Sequence, residues 1–278
     1  MGLNADLVGK RYDERTYEVT AEAIARYAEA TNDGNERYLG NDPVASPVFP
    51  VVPAFESFMN ATMDSELQAD VMRLVHGSEE HVLHSPIRAG DVLTIRGEIE
   101  AIERKETGET FTVRATETNQ DGDVAAEVRG TMFIRGTGSG RGAAGAGEEP
   151  EREVVFEETT KVDDDQTFRY AEASGDHNPI HLDESFAQTA GLPGIILHGM
   201  CTMAIATKAA VNGPAGGDPT RVKRVSVRFS RPVRPGQELT TRLWEEAASA
   251  GLTTYGFETL NPRGQAVIRS GIVEVAGA

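Results

Sequence analysis

The chain contains two copies of one sequence pattern, and this duplication restricts its possible folds more than any other feature. The segment YAEATNDGN begins at Tyr27 and YAEASGDHN begins at Tyr170, so Tyr, Ala, Glu, Ala, Asp and Asn coincide at an offset of 143 residues. A second pair, SPIRAG ending at Gly90 and RPVRPG ending at Gly236, matches at an offset of 146 residues. Because the order of the segments is kept, the pattern predicts two related, packed domains rather than a solenoid.

A Gly- and Ala-rich segment separates the two copies. Residues 136–153 read GTGSGRGAAGAGEEPERE, which has no apolar face and predicts a flexible linker. We therefore expect an N-terminal domain at 1–135 and a C-terminal domain at 154–278. The linker also contains a GxGxxG match, but a dinucleotide-binding fingerprint needs a helix to begin there, and an acidic, helix-poor segment follows instead.

The two copies predict the same order of secondary-structure elements. An amphipathic helix around Tyr27 or Tyr170 is followed by a polar segment and then by an apolar stretch of helix length, at 52–63 or 199–211. The β-rich runs that follow lie at 92–102, 111–117, 124–134, 221–229, 238–245, 253–259 and 266–275. One apolar helix followed by antiparallel strands predicts an α+β fold in which a sheet wraps around a central helix in each copy.

Composition and charge exclude several classes of function. The 278-residue chain carries a formal charge of −17, so nucleic acids and anionic membranes are not expected as partners. The sequence has no apolar run of about eighteen residues and no apolar signal-peptide core at its N-terminus, which favours a cytoplasmic location. The single cysteine, Cys201, excludes an intrachain disulfide and a multi-cysteine zinc site.

One segment of the second copy, residues 170–200, carries the candidate chemistry. Asp176 and His181 lie five residues apart across a proline, and a turn followed by a helix start can bring both side chains to one cavity. A carboxylate and an imidazole form a competent acid–base pair near neutral pH. Asn178 can orient either partner or a water. Gly199 opens the apolar helix, where free N–H groups and the helix dipole suit a developing oxyanion.

These residues also allow purely structural interpretations. Asp176 and Asn178, followed by proline, could form only a capped turn. His177 is expected to be exposed and structural. His198 is expected to be a packed or capping histidine rather than a catalytic one.

The motif resembles that of a known family. Residues 170–181 are similar to the hydratase 2 motif of the MaoC-like family, in which Tyr is followed by Ser-Gly-Asp-x-Asn-Pro-Ile-His. Residues 229–236 (FSRPVRPG) resemble that family's strand entry after the central helix. The first copy is similar to the family's N-terminal dehydratase half, including His76-Gly77 and the segment from Pro86 to Asp91.

The resemblance implies a double hot-dog fold and a reaction. In that family the Asp activates a water, the His takes part in proton transfer and the Asn helps to position them; the matching positions are Asp176, His181 and Asn178. A backbone N–H at the start of the central helix, here that of Gly199, polarises a thioester carbonyl. The implied reaction is reversible hydration of a trans-2-enoyl thioester to an (R)-3-hydroxyacyl thioester, with no metal and no redox cofactor. The sequence itself offers no evident ligand cluster.

The first copy departs from this motif. Asp33 and Asn35 are kept, but Glu36 replaces the proline and Tyr38 stands where the histidine would be. A neutral tyrosine is a poor proton shuttle at pH 7. We therefore expect a degenerate site there, whose remaining use is to complete the fold and hold the acyl chain.

A cationic strand is the candidate binding surface for the substrate's carrier. The alternation of polar and apolar residues at 224–229 predicts that the arginines point away from the core. Arginine suits the three phosphates of coenzyme A, although salt pairing with nearby acids is an alternative. The candidate substrate-binding residues are Arg224, Arg228, Arg231 and Arg234.

The expected substrate is an acyl-CoA or acyl-carrier-protein thioester, and the acidic charge argues mildly against the acidic carrier protein. Three other functions stay open: a 3-hydroxyacyl-carrier-protein dehydratase, a non-catalytic acyl-thioester binder and a hot-dog thioesterase. The expected assembly is a monomeric pseudo-dimer or a homodimer of double hot-dogs.

Overall fold

The computed structural model describes residues 2–40, 42–136, 152–249 and 251–277; residues 137–151 of the predicted linker, with its GxGxxG match, lie outside them. The elements of the first copy are β1 (Arg15–Glu18), α1 (Ala21–Ala30), α2 (Val51–Thr62), β2 (Leu74–Leu83), β3 (Val92–Lys105), β4 (Gly108–Thr118) and β5 (Val124–Arg135). The elements of the second copy are β6 (Phe156–Lys161), α3 (Gln166–Ser174), α4 (Glu184–Thr189), α5 (Gly199–Asn212), β7 (Val222–Phe229), β8 (Glu238–Ser249), β9 (Leu252–Leu260) and β10 (Ala266–Ala276). The proposed domain boundaries stay predictions.

The described strands form one ten-stranded antiparallel sheet in the order β1-β3-β4-β5-β2-β7-β10-β9-β8-β6. The second half of this order mirrors the first, so the copies are related by a pseudo-twofold axis at the seam between β2 and β7. At the seam Ser78 pairs with Arg228 and Val82 pairs with Arg224. The predicted α+β architecture is confirmed: the two halves join through backbone hydrogen bonds into one continuous sheet.

Each half of the sheet packs around a central helix, α2 or α5. Helix α5 is buried over nearly its whole length, because it carries small and apolar residues on every side. Helix α2 follows Pro50 and contains Pro53 in its first turn, where a missing N–H is tolerated. No described helix is both long and apolar enough to span a membrane.

The sequence patterns do not predict β1, β2 or β6. Strand β2 lies at the centre of the sheet, yet its inward side chains include Glu79 and two histidines, His76 and His81, that each hydrogen-bond to it. An inward face of this kind hides the alternation of apolar and polar residues that identifies a strand.

Candidate active site

The segment after α3 is held in shape by two short side chains. Gly175 ends the helix in the left-handed conformation (φ 79°), the usual role of glycine at this position. The backbone N–H of Asn178 then donates to Asp176 Oδ1 (3.1 Å), and the N–H of Ile180 donates to Asn178 Oδ1 (3.3 Å). Both residues therefore build a capped turn, which continues into a 3₁₀ turn at Pro179–His181.

His181 is buried, with 7 % of its surface exposed, and one ring nitrogen is fixed. Its Nδ1 lies 2.8 Å from the carbonyl oxygen of Ile196, so Nδ1 carries the proton and Nε2 keeps its lone pair. Burial lowers the pKa of His181, and the nearby charge of Asp176 opposes this only in part. At neutral pH the ring is therefore a neutral proton acceptor.

A second buried histidine supports this arrangement. The ring of His198 stacks on that of His181, with centroids 3.8 Å apart. Its Nε2 lies 2.9 Å from the carbonyl oxygen of Asp176, and its Nδ1 lies 3.3 Å from Thr167 Oγ1. Burial, with the neighbouring His181, lowers the pKa of His198 well below its usual value. His198 is thus a packed histidine, as predicted, and it ties the start of α5 to the Asp176 turn.

Asp176, His181 and His198 converge: each offers a nitrogen or oxygen atom, and these atoms lie within 4.8 Å of one another. The sequence pattern does not predict this group, because it indicates only a packing role for His198. Both nitrogens of His198 already have protein partners. That leaves two free donors for a metal, fewer than the three or four protein ligands usual in zinc sites. The arrangement therefore suits acid–base chemistry better than metal binding.

The start of α5 offers free backbone donors beside this group. Within the described part of the chain, the N–H groups of Gly199, Met200 and Cys201 donate no hydrogen bond. The preceding segment is extended, and Leu197 N–H donates across to Val233. A side chain on Gly199 would meet the ring of Phe229 at 3.4 Å. The free N–H groups at the positive end of this helix are suited to donate to the carbonyl oxygen of a bound substrate.

Family models match both halves of the chain: a MaoC-like domain matches residues 146–261, and a FAS1-like dehydratase domain region matches residues 6–128. The chain is 35% identical to 3-hydroxyacyl-thioester dehydratase Y of Mycobacterium tuberculosis over 73% of each chain. It is 27% identical to the peroxisomal enoyl-CoA hydratase 2 of Arabidopsis thaliana, over 96% of this chain and 91% of that one.

The chain belongs to the MaoC-like dehydratase family. A MaoC-like dehydratase from Phytophthora capsici has the same fold, with a TM-score of 0.83 at 24% identity over 99% of this chain and 98% of that chain. A double hot-dog protein from Mycobacterium tuberculosis superimposes with a TM-score of 0.67 at 12% identity, over 97% and 96% of the two chains. The double hot-dog fold expected from the sequence is confirmed.

The first copy keeps the turn of this MaoC-like motif but not its histidine. Asn35 N–H donates to Asp33 Oδ1 (3.2 Å), as in the second copy. Tyr38 is fully buried, and within the described residues its hydroxyl has no hydrogen-bond partner. Burial raises the pKa of Asp33 to about 6. The pair His76-Gly77, which is part of the family resemblance, lies on β2. The central helix of the first copy, α2, begins instead at Val51, after Pro50.

The four candidate arginines of the MaoC-like chain lie in different environments. Arg224 is held by two carboxylates, with Nε 2.8 Å from Glu80 and Nη1 3.1 Å from Glu274. Arg228, Arg231 and Arg234 have no carboxylate partner among the described residues. The alternative of salt pairing therefore applies to Arg224 and leaves the other three as candidates.

Thr167 is a supporting residue that sequence reasoning missed. Its hydroxyl lies 3.0 Å from the carbonyl oxygen of His181 and 3.3 Å from His198 Nδ1. It sits one helical turn from Tyr170 on the same face of α3. A threonine inside an amphipathic helix gives no signal of this kind.

Proposed function

We propose that this protein catalyses the reversible hydration of trans-2-enoyl thioesters to (R)-3-hydroxyacyl thioesters. One observation carries the proposal: a carboxylate oxygen of Asp176 and a ring nitrogen of His181 lie within 4.8 Å of each other and of His198, the residue that precedes the free N–H groups of α5. The names of the two relatives, a 3-hydroxyacyl-thioester dehydratase and an enoyl-CoA hydratase, support the same chemistry. The stereochemistry follows from the family resemblance.

In the hydration direction the substrate carbonyl accepts a hydrogen bond from Gly199 N–H. Asp176 and His181 hold a water near C3, and His181 Nε2 takes one of its protons as the oxygen bonds to C3. The π electrons of the C2–C3 bond move to the carbonyl, giving an enolate that the N–H and the helix dipole stabilise. The enolate then collapses as C2 takes up the proton held by His181 Nε2, which restores the neutral ring. Dehydration runs through the same steps in reverse.

Asn178 positions the water. Its Oδ1 is used by the turn, but its Nδ2 has no acceptor among the described residues. An amide N–H at this place can donate a hydrogen bond to the water oxygen, while the carboxylate and the imidazole accept hydrogen bonds from the two O–H groups of the water. No step needs a metal or redox cofactor, so activity should survive dialysis against a chelator.

The acyl carrier is coenzyme A in this proposal. Arg228 directly precedes Phe229 in the chain, and Arg231 and Arg234 follow it within five residues; the ring of Phe229 borders the start of α5. Uncompensated arginines in a chain of charge −17 favour an anionic ligand such as the CoA phosphates. Arg224 is left out, because its guanidinium is already paired. Carrier-protein thioesters are the runner-up substrates.

The test follows ultraviolet absorbance of crotonyl-, octenoyl- and dodecenoyl-CoA after addition of the protein, with chiral analysis of the product. Loss of the enoyl absorbance with an (R)-3-hydroxyacyl product supports the proposal. Release of free thiol would identify a thioesterase, and binding without turnover would identify an acyl-thioester binder. Activity only on carrier-protein thioesters would move the substrate to that class.

Two coarser expectations join the proposal. We expect a cytoplasmic location, which fluorescence of a tagged chain tests against the peroxisomal location named for one relative. We also expect a monomeric pseudo-dimer or a homodimer, which light scattering separates by mass.

A further inference from the structure

A buried charged cluster lies on the inner face of β2, outside the group formed by Asp176, His181 and His198. Glu79 is 2 % exposed, and each of its carboxylate oxygens meets a histidine. Oε2 lies 2.8 Å from His76 Nε2, and Oε1 lies 3.3 Å from His81 Nε2. Burial works to raise the pKa of Glu79, but the two histidines hold it below its usual value. Glu79 is therefore an ionised carboxylate inside the protein.

The two histidines play different parts in this cluster. His81 is fully buried, and its Nδ1 lies 3.2 Å from the carbonyl oxygen of Pro47. Both of its ring nitrogens face oxygen atoms, so the ring is held between Pro47 and Glu79. His76 needs only the proton on Nε2. Its Nδ1 is left as an acceptor, with no partner among the described residues.

The second copy shows that the fold does not require this cluster. At an offset of 146 residues, His76, Glu79 and His81 correspond to Val222, Val225 and Val227 of β7. All three valines are buried. Replacing a buried ion pair by well-packed apolar residues is often neutral or stabilising. The same strand position is thus filled by valine in one copy and by a costly charged group in the other.

Through Phe229, His76 lies near the start of α5 in the second copy. Its ring centroid lies 4.9 Å from that of Phe229. The same Phe229 ring comes within 3.4 Å of where a side chain on Gly199 would begin. The side chain of His76 is 26 % exposed, against 1 % and 0 % for Glu79 and His81, so it is the member of the cluster that opens to the outside.

We propose that His76 is a substrate-contact residue: its Nδ1 accepts a hydrogen bond from the first amide N–H of a pantetheine-type thioester bound at Gly199. That amide lies three bonds from the thioester sulfur, and an arm that leaves the α5 start over Phe229 runs towards His76. Glu79 and His81 act as positioning residues that fix the ring and its tautomer. The first copy thus completes the site of the second, an inference that rests on the proposed hydratase function.

The experiment compares three thioesters of one acyl group: crotonyl-CoA, crotonyl-N-acetylcysteamine, which keeps the first amide, and S-butyl crotonothioate, which has none. His76→Val, the residue found in the other copy, should raise KM about threefold to tenfold on the first two and leave kcat nearly unchanged. On the butyl thioester its KM should equal that of the wild type. His76→Gln keeps a donor for Glu79 and an acceptor for the substrate, so it should restore much of the loss.

Two controls separate contact from folding. The triple variant His76→Val, Glu79→Val, His81→Val copies β7, so it should fold with an undiminished Tm and show the KM pattern of His76→Val. His84→Val changes an exposed histidine just beyond β2 and should leave all three KM values unchanged. An unchanged KM for folded His76→Val on crotonyl-CoA, or an equal rise on the butyl thioester, overturns the inference.

The proposed function fails separately, in the wild type, if none of these thioesters is hydrated. In that event calorimetric titration with crotonyl-CoA still decides the contact. Affinity should then fall about threefold to tenfold in His76→Val and stay unchanged in His84→Val. Equal affinity of the wild type and His76→Val would reject it.

Discussion

The two copies of this chain share one turn but differ in what surrounds it. In both, the aspartate accepts the N–H two residues on, and the asparagine oxygen accepts the N–H of Arg37 or Ile180. The two turns differ in the partner of the asparagine side-chain nitrogen. Asn35 Nδ2 donates to the carbonyl of Gly217 at 2.9 Å, whereas Asn178 Nδ2 has no acceptor in the described parts of the chain. The turn is a shared scaffold, and among the described residues only the second copy leaves the asparagine Nδ2 without a protein acceptor.

The starts of the central helices differ in the same way. In α2, Val51 N–H donates to Val48 and Val52 N–H donates to Phe49, and the third helical residue is Pro53, which has no N–H. The corresponding donors of α5 are free among the described residues. The first copy therefore lacks two parts that the second copy has: the imidazole and the anion-binding helix end.

The largest expected effect comes from the acid–base pair of the second copy. Asp176→Asn and His181→Ala should each lower turnover by roughly two to four decades, the scale of lost acid–base assistance. Asn at 176 keeps an acceptor for the turn, so the fold should survive, as circular dichroism can verify. Steady-state rates on crotonyl-CoA provide the measurement. Near-normal turnover of either folded variant would remove the assignment.

The pH dependence of kcat/KM tests whether His181 is the neutral base that the first copy lacks. Since burial lowers the pKa of His181, the ring stays neutral and active below the usual imidazole range. We expect kcat/KM to hold as pH falls through 6.5 and then to drop about tenfold per unit below the lowered pKa. An acid limb centred at or above 6.5 would contradict a buried neutral base.

The arginines beside Phe229 test whether carrier binding also belongs to the second copy. The first copy has Val82 and Ser85 where the second has Arg228 and Arg231. Arg228→Gln or Arg231→Gln should raise KM for crotonyl-CoA severalfold with kcat nearly unchanged, because the phosphates lie far from the reacting bond. Salt should shrink the effect. As a matched control, Arg224→Gln should change stability rather than KM, and crotonyl-pantetheine, which lacks the nucleotide, should be insensitive to the first two changes.

The smallest effects are expected in the first copy. Asp33→Asn and Tyr38→Phe should leave turnover within about threefold of the wild type, or under roughly 0.7 kcal/mol. Tyr38→His, placed in an Asp176→Asn background, should not restore activity, because the N–H groups that open α2 are satisfied or missing. Loss of activity comparable to that of Asp176→Asn, or recovery in the grafted variant, would show that the first copy can also act as a site.

Local sequence signals determined much of this protein. The duplication predicts the pseudo-twofold halves, and the apolar stretches at 52–63 and 199–211 predict α2 and α5 to within a residue or two. The turn formers around Asp176 and Asn178 predict the capped turn, because its hydrogen bonds join residues two apart. Alternation predicts β7, since Val225, Val227 and Phe229 face one side.

The tertiary structure decided what depends on partners distant in sequence. Strand β2 is not predicted from periodicity because its inward side chains are polar and hydrogen-bond to Glu79 within the core. Arg224 looks like its neighbours in sequence, but Glu80, 144 residues away, pairs with it. The tautomer of His181 depends on the carbonyl of Ile196, and its stacking on His198 depends on where α5 begins. Periodicity and turn chemistry act over a few residues, whereas burial, ion pairing and free helix ends are set by contacts that only the folded chain brings together.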